Sequence, residues 1–140
     1  MIDTREQLPY TFEGLPSVVA KLDAGDYSLV GHEHRVAVER KTKEDMYGCI
    51  GAGRKRFTVC LERLAVMESA CIVIECSLAQ FAVPPTRTRI DARMAVGSVI
   101  SWSCMYRLPV FWAGSRDYGE RVTLRWLCAY LKHRARVQDS

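Results

Sequence analysis

Two acids and one lysine are the residues of this sequence whose types and spacing best suit chemistry. Asp26 follows a glycine, and Glu39 and Lys41 lie two positions apart further along the chain. Carboxylate oxygens bind hard cations such as Mg²⁺ at about 2.1 Å, and such a cation can activate water for attack on a phosphodiester. We therefore predict a hydrolytic site in which Asp26 and Glu39 hold the metal and Lys41 orients the nucleophile and stabilises developing charge.

The surrounding pattern predicts how these residues are brought together. Residues 27–30 and 35–38 are β-rich runs separated by a glycine-led turn, which is typical of an antiparallel hairpin. The start of one strand then lies beside the end of the other, so Asp26 and Glu39 should be neighbours. Lys41 follows Glu39 by two residues and should point to the same side of the strand.

Other charged residues are assigned supporting roles around this strand. Asp3, in a predicted first strand at residues 1–3, and Glu6 are further acids that could reach the site, with Arg5 between them, and Asp3 is favoured over Glu6. Arg40 should point to the face opposite Lys41. We predict that it packs the strand or forms an ion pair with Asp45.

Helices and strands are predicted to alternate along the rest of the chain. The predicted elements are a short helix capped by Ser17, a helix from Thr42 to about Ile50, an amphipathic helix with Phe57, Cys60, Leu61 and Leu64 on one face, a buried strand at Ala70–Cys76, a helix at Asp91–Tyr106, a strand at Val110–Trp112, and a helix from Ser115 to about Lys132. This order predicts a three-layer α/β/α domain with a mixed central sheet. No repeat or composition shift divides residues 1–140, so we predict a single domain.

Two later helices have faces that we assign from residue spacing. In the helix at Asp91–Tyr106 the small residues Gly97 and Ser101, with Met94 and Cys104, are predicted to approach the sheet. In the last helix Leu124, Leu127, Cys128 and Leu131 are predicted to pack on the sheet. A second stripe on this helix, Val122, Trp126 and Tyr130, is predicted to form the interface of a homodimer. The alternative is that Trp126 and Tyr130 pack under the N-terminal turn-rich segment.

Composition sets the class of protein. The 140 residues are 49% hydrophobic and 26% charged, a balance typical of one globular domain. No run approaches the ~18 apolar residues that a membrane span needs, and the N-terminus is charged, so we expect a cytoplasmic protein with no membrane partner. The six cysteines are scattered without a Cys-x-x-Cys pair, which favours reduced thiols over zinc or disulfides.

The basic residues suggest a polyanionic partner, which the net charge of +4 permits. Arg54, Lys55 and Arg56 are consecutive, and Arg87 and Arg89 lie in a loop that follows two prolines. We predict that these five side chains contact DNA phosphates. The alternative is a solvated charged surface, which is common for any one of these groups.

Taken together, the motifs resemble the nuclease domain of the XPF/Mus81 structure-specific endonucleases, the ERCC4-type domain. The matching stretches are Ile2-Asp3-x-Arg5-Glu6, Gly25-Asp26-Tyr27, Val38-Glu39-Arg40-Lys41-x-x-x-Asp45, Gly53-Arg54 and Ile72-Val73-Ile74-Glu75. The resemblance implies a restriction-endonuclease-like fold, dependence on Mg²⁺ or Mn²⁺, pairing of two nuclease domains, and incision of branched DNA near a junction. The helix-hairpin-helix modules that often follow such domains are not matched, so we expect either a compact stand-alone form or an excised fragment of a longer protein.

The resemblance also assigns roles residue by residue. It implies a catalytic core of Asp26, Glu39 and Lys41, and it implies supporting charges at Asp3, Arg40 and Asp45 and a basic helix residue at Arg54. Two alternatives remain open at this point. One is a catalytically silent DNA-binding and dimerisation module of the same fold, and the other is a sequence-specific restriction-type endonuclease.

Overall fold

Three short strands precede the first helix in residues 1–138, the part of the chain that the computed structural model describes, and two further strands lie between the later helices. The strands are β1 (Ile2–Asp3), β2 (Val19–Ala20), β3 (Val36–Lys41), β4 (Ser69–Ile74) and β5 (Val110–Trp112). The helices are α1 (Lys43–Ile50), α2 (Arg54–Ala65), α3 (Leu78–Phe81), α4 (Ala92–Tyr106) and α5 (Arg116–Gln138). No helix within these residues is both long and apolar enough to cross a membrane.

The central sheet has parallel order β3-β4-β5, with Glu39 opposite Ile72 and Lys41 opposite Ile74. The pair β1-β2 is also parallel. Tyr27 joins the two groups of strands because it forms antiparallel bridges to both Ile2 and Val38. The strands are therefore linked in both parallel and antiparallel senses, as the predicted mixed sheet requires.

Alternating side chains of β3 divide the core into two layers. Val36 and Val38 face α5 and the N-terminal segment, whereas Ala37 faces the layer formed by α1, α2 and α4. The neighbouring strand β4 follows the same alternation, with Val73 toward α5 and Ile72 toward the other helices. A helix layer thus covers each face of the sheet, and the predicted α/β/α arrangement is present.

The helices that follow β3 begin as predicted. Thr42 caps α1 because its hydroxyl accepts a hydrogen bond of 3.1 Å from the Asp45 amide. After the glycine-rich turn, α2 buries Phe57, Leu61 and Leu64 on one face. These two helices therefore start immediately beside the end of β3, where the predicted site lies.

Two predictions for the N-terminal region are wrong. The helix capped by Ser17 does not form, because residues 18–20 join the β1 ladder, with the Ile2 amide donating to the Val18 carbonyl at 2.8 Å. The first strand of the hairpin is reduced to the pairing of Tyr27. Beyond it the Ser28 hydroxyl donates to the Val36 carbonyl at 2.6 Å and the chain turns instead of continuing a ladder.

The face of α4 that approaches the sheet also differs from the prediction. Met94, Ser101 and Cys104 are exposed, while the buried residues include Val99 and Trp102. The Trp102 ring packs edge-on against Phe57 at 5.2 Å. Burying a large aromatic ring removes far more apolar area from water than burying small residues, so Trp102 sets the orientation of the helix.

The α5 helix is rotated relative to the orientation from which the dimer stripe was predicted. Cys128 and Leu131 are exposed, although both were assigned to the sheet. The stripe instead packs within the chain: Val122 and Trp126 lie against the core on the α5 side, and Tyr130 is buried there. The Trp126 ring contacts Phe111 of β5 at 5.8 Å, and the Tyr130 hydroxyl donates to Glu68 at 2.8 Å.

Candidate active site

The end of β3 brings an acid and a lysine together on the α1/α2 side of the sheet. The Glu39 side chain is buried, and its Oε1 lies 3.6 Å from the Lys41 ammonium. Lys41 also lies over the Phe57 ring, 5.1 Å from its centroid. The two side chains share a face as the two-residue spacing predicts.

Asp26 reaches the same place through a turn that requires glycine. Gly25 has φ of +78°, and a Cβ at this position would lie 2.8 Å from the Ala37 side chain. The Asp26 amide then donates to the Val38 carbonyl at 2.9 Å, and its Oδ2 accepts a hydrogen bond of 2.8 Å from the Arg40 amide. These contacts hold the carboxylate beside Glu39.

The three charges perturb one another strongly. Burial, followed by the charge of Glu39, raises the pKa of Asp26 to about 8, and burial also raises the pKa of Glu39. Burial alone would lower the pKa of Lys41, but the neighbouring carboxylates, Glu39 first, raise it above its ordinary value. The site therefore contains two desolvated acids that would repel each other if both were ionised, and a lysine that stays charged.

The donor set fits one hard cation. Within residues 1–138, no group of three or more His, Cys, Asp or Glu side chains is arranged to hold a metal ion. Mg²⁺ commonly uses only one or two carboxylates and keeps several waters. A divalent cation between Asp26 and Glu39 would also relieve their repulsion, which is the electrostatic reason that this pair suits a metal.

A cavity of about 710 Å³ opens in front of these side chains. Its lining also includes Arg5, Glu44, Asp45, Arg56 and Arg63. Asp45 is exposed in the first turn of α1 and forms no ion pair with Arg40, so that part of the prediction is wrong.

Arg40 lies on the opposite face of β3. Its guanidinium donates to both Glu75 oxygens, at 2.9 and 3.0 Å, and to Glu6 at 3.1 Å. The Tyr10 hydroxyl donates to Glu75 at 2.6 Å and the Tyr27 hydroxyl to Glu6 at 2.7 Å. Arg40 therefore packs and anchors the strand, as one of the two predicted roles requires.

Asp3 supports the site from behind. It is buried and accepts hydrogen bonds from Arg5 Nε at 2.7 Å and from the Leu22 amide at 2.8 Å. Burial would raise the pKa of Asp3, but these donors outweigh it and lower the pKa. Asp3 is absent from the cavity lining, whereas Arg5 is part of it. Asp3 thus positions Arg5 at the rim.

Comparison with known families decides the class of the domain. The family model described as the ERCC4 domain matches residues 2–128. This chain belongs to the ERCC4 domain family.

Two solved structures of XPF from Aeropyrum pernix are similar to this ERCC4 domain. One has a TM-score of 0.72 at 20% identity and covers 92% of this chain and 59% of its own. The other, XPF in complex with DNA, has a TM-score of 0.63 at 23% identity, and covers 82% of this chain and 53% of its own. This chain spans a little over half of each XPF chain. The likeness confirms the predicted restriction-endonuclease-like fold, while no curated protein matches the sequence.

The consecutive basic residues of the ERCC4 domain point in different directions. Arg54 Nη1 donates to Ser98 at 3.3 Å and the guanidinium lies over the Trp102 ring, so Arg54 ties α2 to α4. Lys55 and Arg56 are both exposed, but only Arg56 lines the cavity. The remaining predicted DNA contacts, Arg87 and Arg89, are exposed in their loop but are outside the cavity lining.

Sequence reasoning missed one direct contact of the paired acids Asp26 and Glu39. The Cys60 thiol lies 3.5 Å from Glu39 Oε2 and donates toward it, and burial raises the pKa of Cys60, which keeps it a thiol. The helical spacing could have predicted this contact, because Cys60 lies on the same face of α2 as Phe57 and Leu64. That spacing was interpreted as an apolar surface only. The pairing of Arg40 with Glu6 and Glu75 was not predicted either.

Proposed function

We propose that this ERCC4 domain is a DNA endonuclease that hydrolyses phosphodiester bonds with Mg²⁺ or Mn²⁺. One observation carries the proposal: the Asp26 and Glu39 carboxylates are adjacent and desolvated, with the Lys41 ammonium 3.6 Å from Glu39, in an open cavity of about 710 Å³. Burying two adjacent acids lowers the stability of the fold. Binding of a catalytic cation explains why they are adjacent.

In this proposal Asp26 and Glu39 hold the cation. When bound, the cation would neutralise charge on the phosphate and lower the pKa of a coordinated water. The Arg40 amide keeps Asp26 fixed through its hydrogen bond of 2.8 Å. The Cys60 thiol does the same for one oxygen of Glu39, leaving the other oxygen toward Lys41. Both acids are thus held in place before the substrate arrives.

Lys41 contributes a positive charge to the site in addition to that of the bound cation. Because the carboxylates raise its pKa, it remains an ammonium at neutral pH. Its three N–H donors can orient the attacking water and hydrogen-bond the phosphate oxygens as charge develops on them. The Phe57 ring beneath it restricts the ammonium to the cavity side.

We further propose that the substrate is branched DNA. The motif resemblance supports this, and one of the similar XPF structures is described as a complex with DNA, which is a property of that XPF chain. The competing function is cleavage of linear duplex at one sequence. Labelled flap and fork substrates and a linear duplex of the same sequence, each incubated with and without Mg²⁺, separate the two. Cleavage confined to the branched substrates supports the proposal, and equal cleavage of the linear duplex at one site supports the restriction-type alternative.

Pairing of two copies is also part of the proposal. The stripe on α5 is occupied by the chain's own core, but α4 exposes the apolar side chains Met94, Ile100 and Met105, which are between 53% and 65% exposed. Exposed apolar side chains of this size are a cost unless a partner covers them. Light scattering at micromolar concentration tests the pairing, and a monomer mass would contradict it.

A further inference from the structure

A second concavity continues directly from the catalytic cavity. It has a volume of about 580 Å³, and Arg5, Asp23, Ala24 and Arg63 line both spaces. The two cavities are adjacent because they share these residues, and together we call them the groove. We call the second one the flanking cavity; the residues that define it below are Arg5, Lys21, His34, Arg63, Val66 and Met67.

The two cavities differ in charge. The catalytic cavity is lined by five acids, Asp23, Asp26, Glu39, Glu44 and Asp45, and by four Lys or Arg residues. The flanking cavity has a single acid, Asp23, beside three Lys or Arg residues and one histidine. A polyanion bound at the metal-binding acids would therefore have its adjoining phosphates beside a locally basic surface.

The cations of the flanking cavity are accessible to a ligand. Lys21 is exposed and has no hydrogen-bond or ion-pair partner among the described residues. Arg63 is exposed and donates only to the Asp23 backbone carbonyl, at 3.4 Å. The acid is partly engaged as well, because the Asp23 carboxylate lies 3.6 Å from His34 Nδ1. Lys21 and Arg63 are thus free to bind phosphate.

An apolar wall completes the cavity. Val66 is 86% exposed, and the partly buried Met67 adjoins it. Both follow the end of α2 and line the same space as Lys21 and Arg63. Cations beside exposed apolar side chains suit a nucleotide, which presents both a phosphate and the flat face of a base.

We propose, on the basis of the proposed function, that the flanking cavity binds an unpaired nucleotide of the cleaved strand, next to the phosphate that is hydrolysed. Lys21 and Arg63 contact its phosphate, and Val66 and Met67 contact its base. The unpaired form is required because both faces of a base are covered by neighbours in a duplex. The flanking cavity is therefore the part of the groove that distinguishes single-stranded from double-stranded DNA.

Two double variants that make the same charge change at different surfaces test this proposal. Lys21→Glu with Arg63→Glu changes one lysine and one arginine of the flanking cavity. Lys132→Glu with Arg125→Glu makes the same charge change at exposed positions of α5, on the other side of the sheet. Fluorescence anisotropy in metal-free buffer, with a labelled duplex that carries a single-stranded overhang and a blunt duplex of the same sequence, measures binding. Circular dichroism confirms that each variant folds, and Lys21→Gln with Arg63→Gln replaces the first pair if it does not.

The flanking-cavity variant should weaken binding of the overhang DNA by at least about 10-fold and reduce its salt slope by about 0.7 for each lost single-strand phosphate contact. Binding of the blunt duplex should change much less, and the α5 variant should resemble wild type. Equal losses for both DNA molecules, or equal losses for both variants, would overturn the proposal.

A third variant tests the base contact. Val66→Asp should reduce overhang binding and leave blunt-duplex binding nearly unchanged, and no effect on either would contradict the base contact. Failure of the proposed function is distinguishable from all of these results. Wild type that neither binds nor cleaves any DNA removes the function itself, whereas wild type that cleaves while the flanking-cavity variant binds normally removes only this subsite.

Discussion

The guanidinium of Arg40 holds the Glu75 carboxylate through two hydrogen bonds, at 2.9 and 3.0 Å, on the face of β3 that is turned away from the cavity lined by Asp26 and Glu39. The backbone amide of the same arginine donates to Asp26 on the other side. Arg40 therefore connects a buried ion pair behind the sheet to a proposed metal ligand in front of it. The residues on either side of it, Glu39 and Lys41, are directed into the cavity by the same strand.

Removing Arg40 should destabilise the domain strongly. Arg40→Ala leaves Glu75 and Glu6 without their main partner, and breaking one side of a buried ion pair costs about 3 kcal/mol or more. Urea unfolding followed by circular dichroism measures the change. Arg35→Ala is the control, since its contact with Glu68 is 4.0 Å long and half exposed, and it should cost less than about 1 kcal/mol. Equal effects of the two substitutions would show that the Arg40 cluster does not anchor the strand.

Local sequence patterns predicted the positions of Glu39 and Lys41 because those positions depend on residues close by in the sequence. Lys41 follows Glu39 by two residues in one strand, and Thr42 caps the next helix, so each depends on neighbours in sequence. The placement of Asp26 beside Glu39 followed from antiparallel pairing, of which the Tyr27 to Val38 bridge is the part that forms.

The elements that were predicted wrongly depend on distant partners. Val19 and Ala20 form a strand because they pair with Ile2 and Asp3 of β1. The faces of α4 and α5 were decided by the contacts of Trp102 with Phe57 and of Trp126 with Phe111, which join segments far apart in sequence. The contact between Cys60 and Glu39 is of the same kind. Periodicity finds the faces of a helix, but long-range packing selects which face is buried.

The paired acids predict a pH-dependent stability in metal-free protein. The pKa of Asp26 is raised to about 8 in the folded state, against about 3.9 in an unfolded chain. Its contribution to stability is thus fully present below about pH 4 and is lost as the pH rises through about 8. Asp26→Asn does not ionise, so relative to wild type it should gain more than about 1 kcal/mol by about pH 9.

Urea unfolding in a chelating buffer, at several pH values from about 4 to 9, measures that difference. Asp45→Asn provides the control, because Asp45 is exposed in α1 and should show no such gain. A difference between Asp26→Asn and wild type that stays constant with pH would mean that Asp26 is not held in a repulsive, desolvated pair.

Lys41 should affect catalysis more than metal binding. Lys41→Ala removes the only ammonium group in the cavity lining of the described chain, and turnover should fall by at least ~100-fold, the usual scale for one preorganised stabilising group. Calorimetry should still detect metal binding. Lys43→Ala is the matched control, since Lys43 bonds the Val83 carbonyl outside the cavity and its loss should leave turnover almost unchanged. Collapse of metal affinity together with the fold would make Lys41 a structural residue.

The basic stretch at the start of α2 should divide into two kinds of residue. Neutralising Lys55 and Arg56 should weaken DNA binding and reduce its salt slope by about 0.9 for each lost duplex phosphate contact. Arg54→Ala should instead lower stability, because Arg54 joins α2 to Ser98 and Trp102 of α4. Titrations of duplex DNA at several salt concentrations measure the slopes. An unchanged salt slope for the variant without Lys55 and Arg56 would show that neither residue contacts DNA phosphates.

Cleavage of labelled branched DNA by wild type, Asp26→Asn and Glu39→Gln, in Mg²⁺ and in chelator, tests the proposed active site most directly. Each substitution removes one negative ligand of a hard cation while preserving the shape of the side chain. Wild type should cleave only with Mg²⁺, and both variants should bind the DNA with nearly unchanged affinity but leave it uncut. Turnover by either variant near the wild-type rate, or wild-type cleavage that persists in chelator, would contradict a catalytic cation held by Asp26 and Glu39.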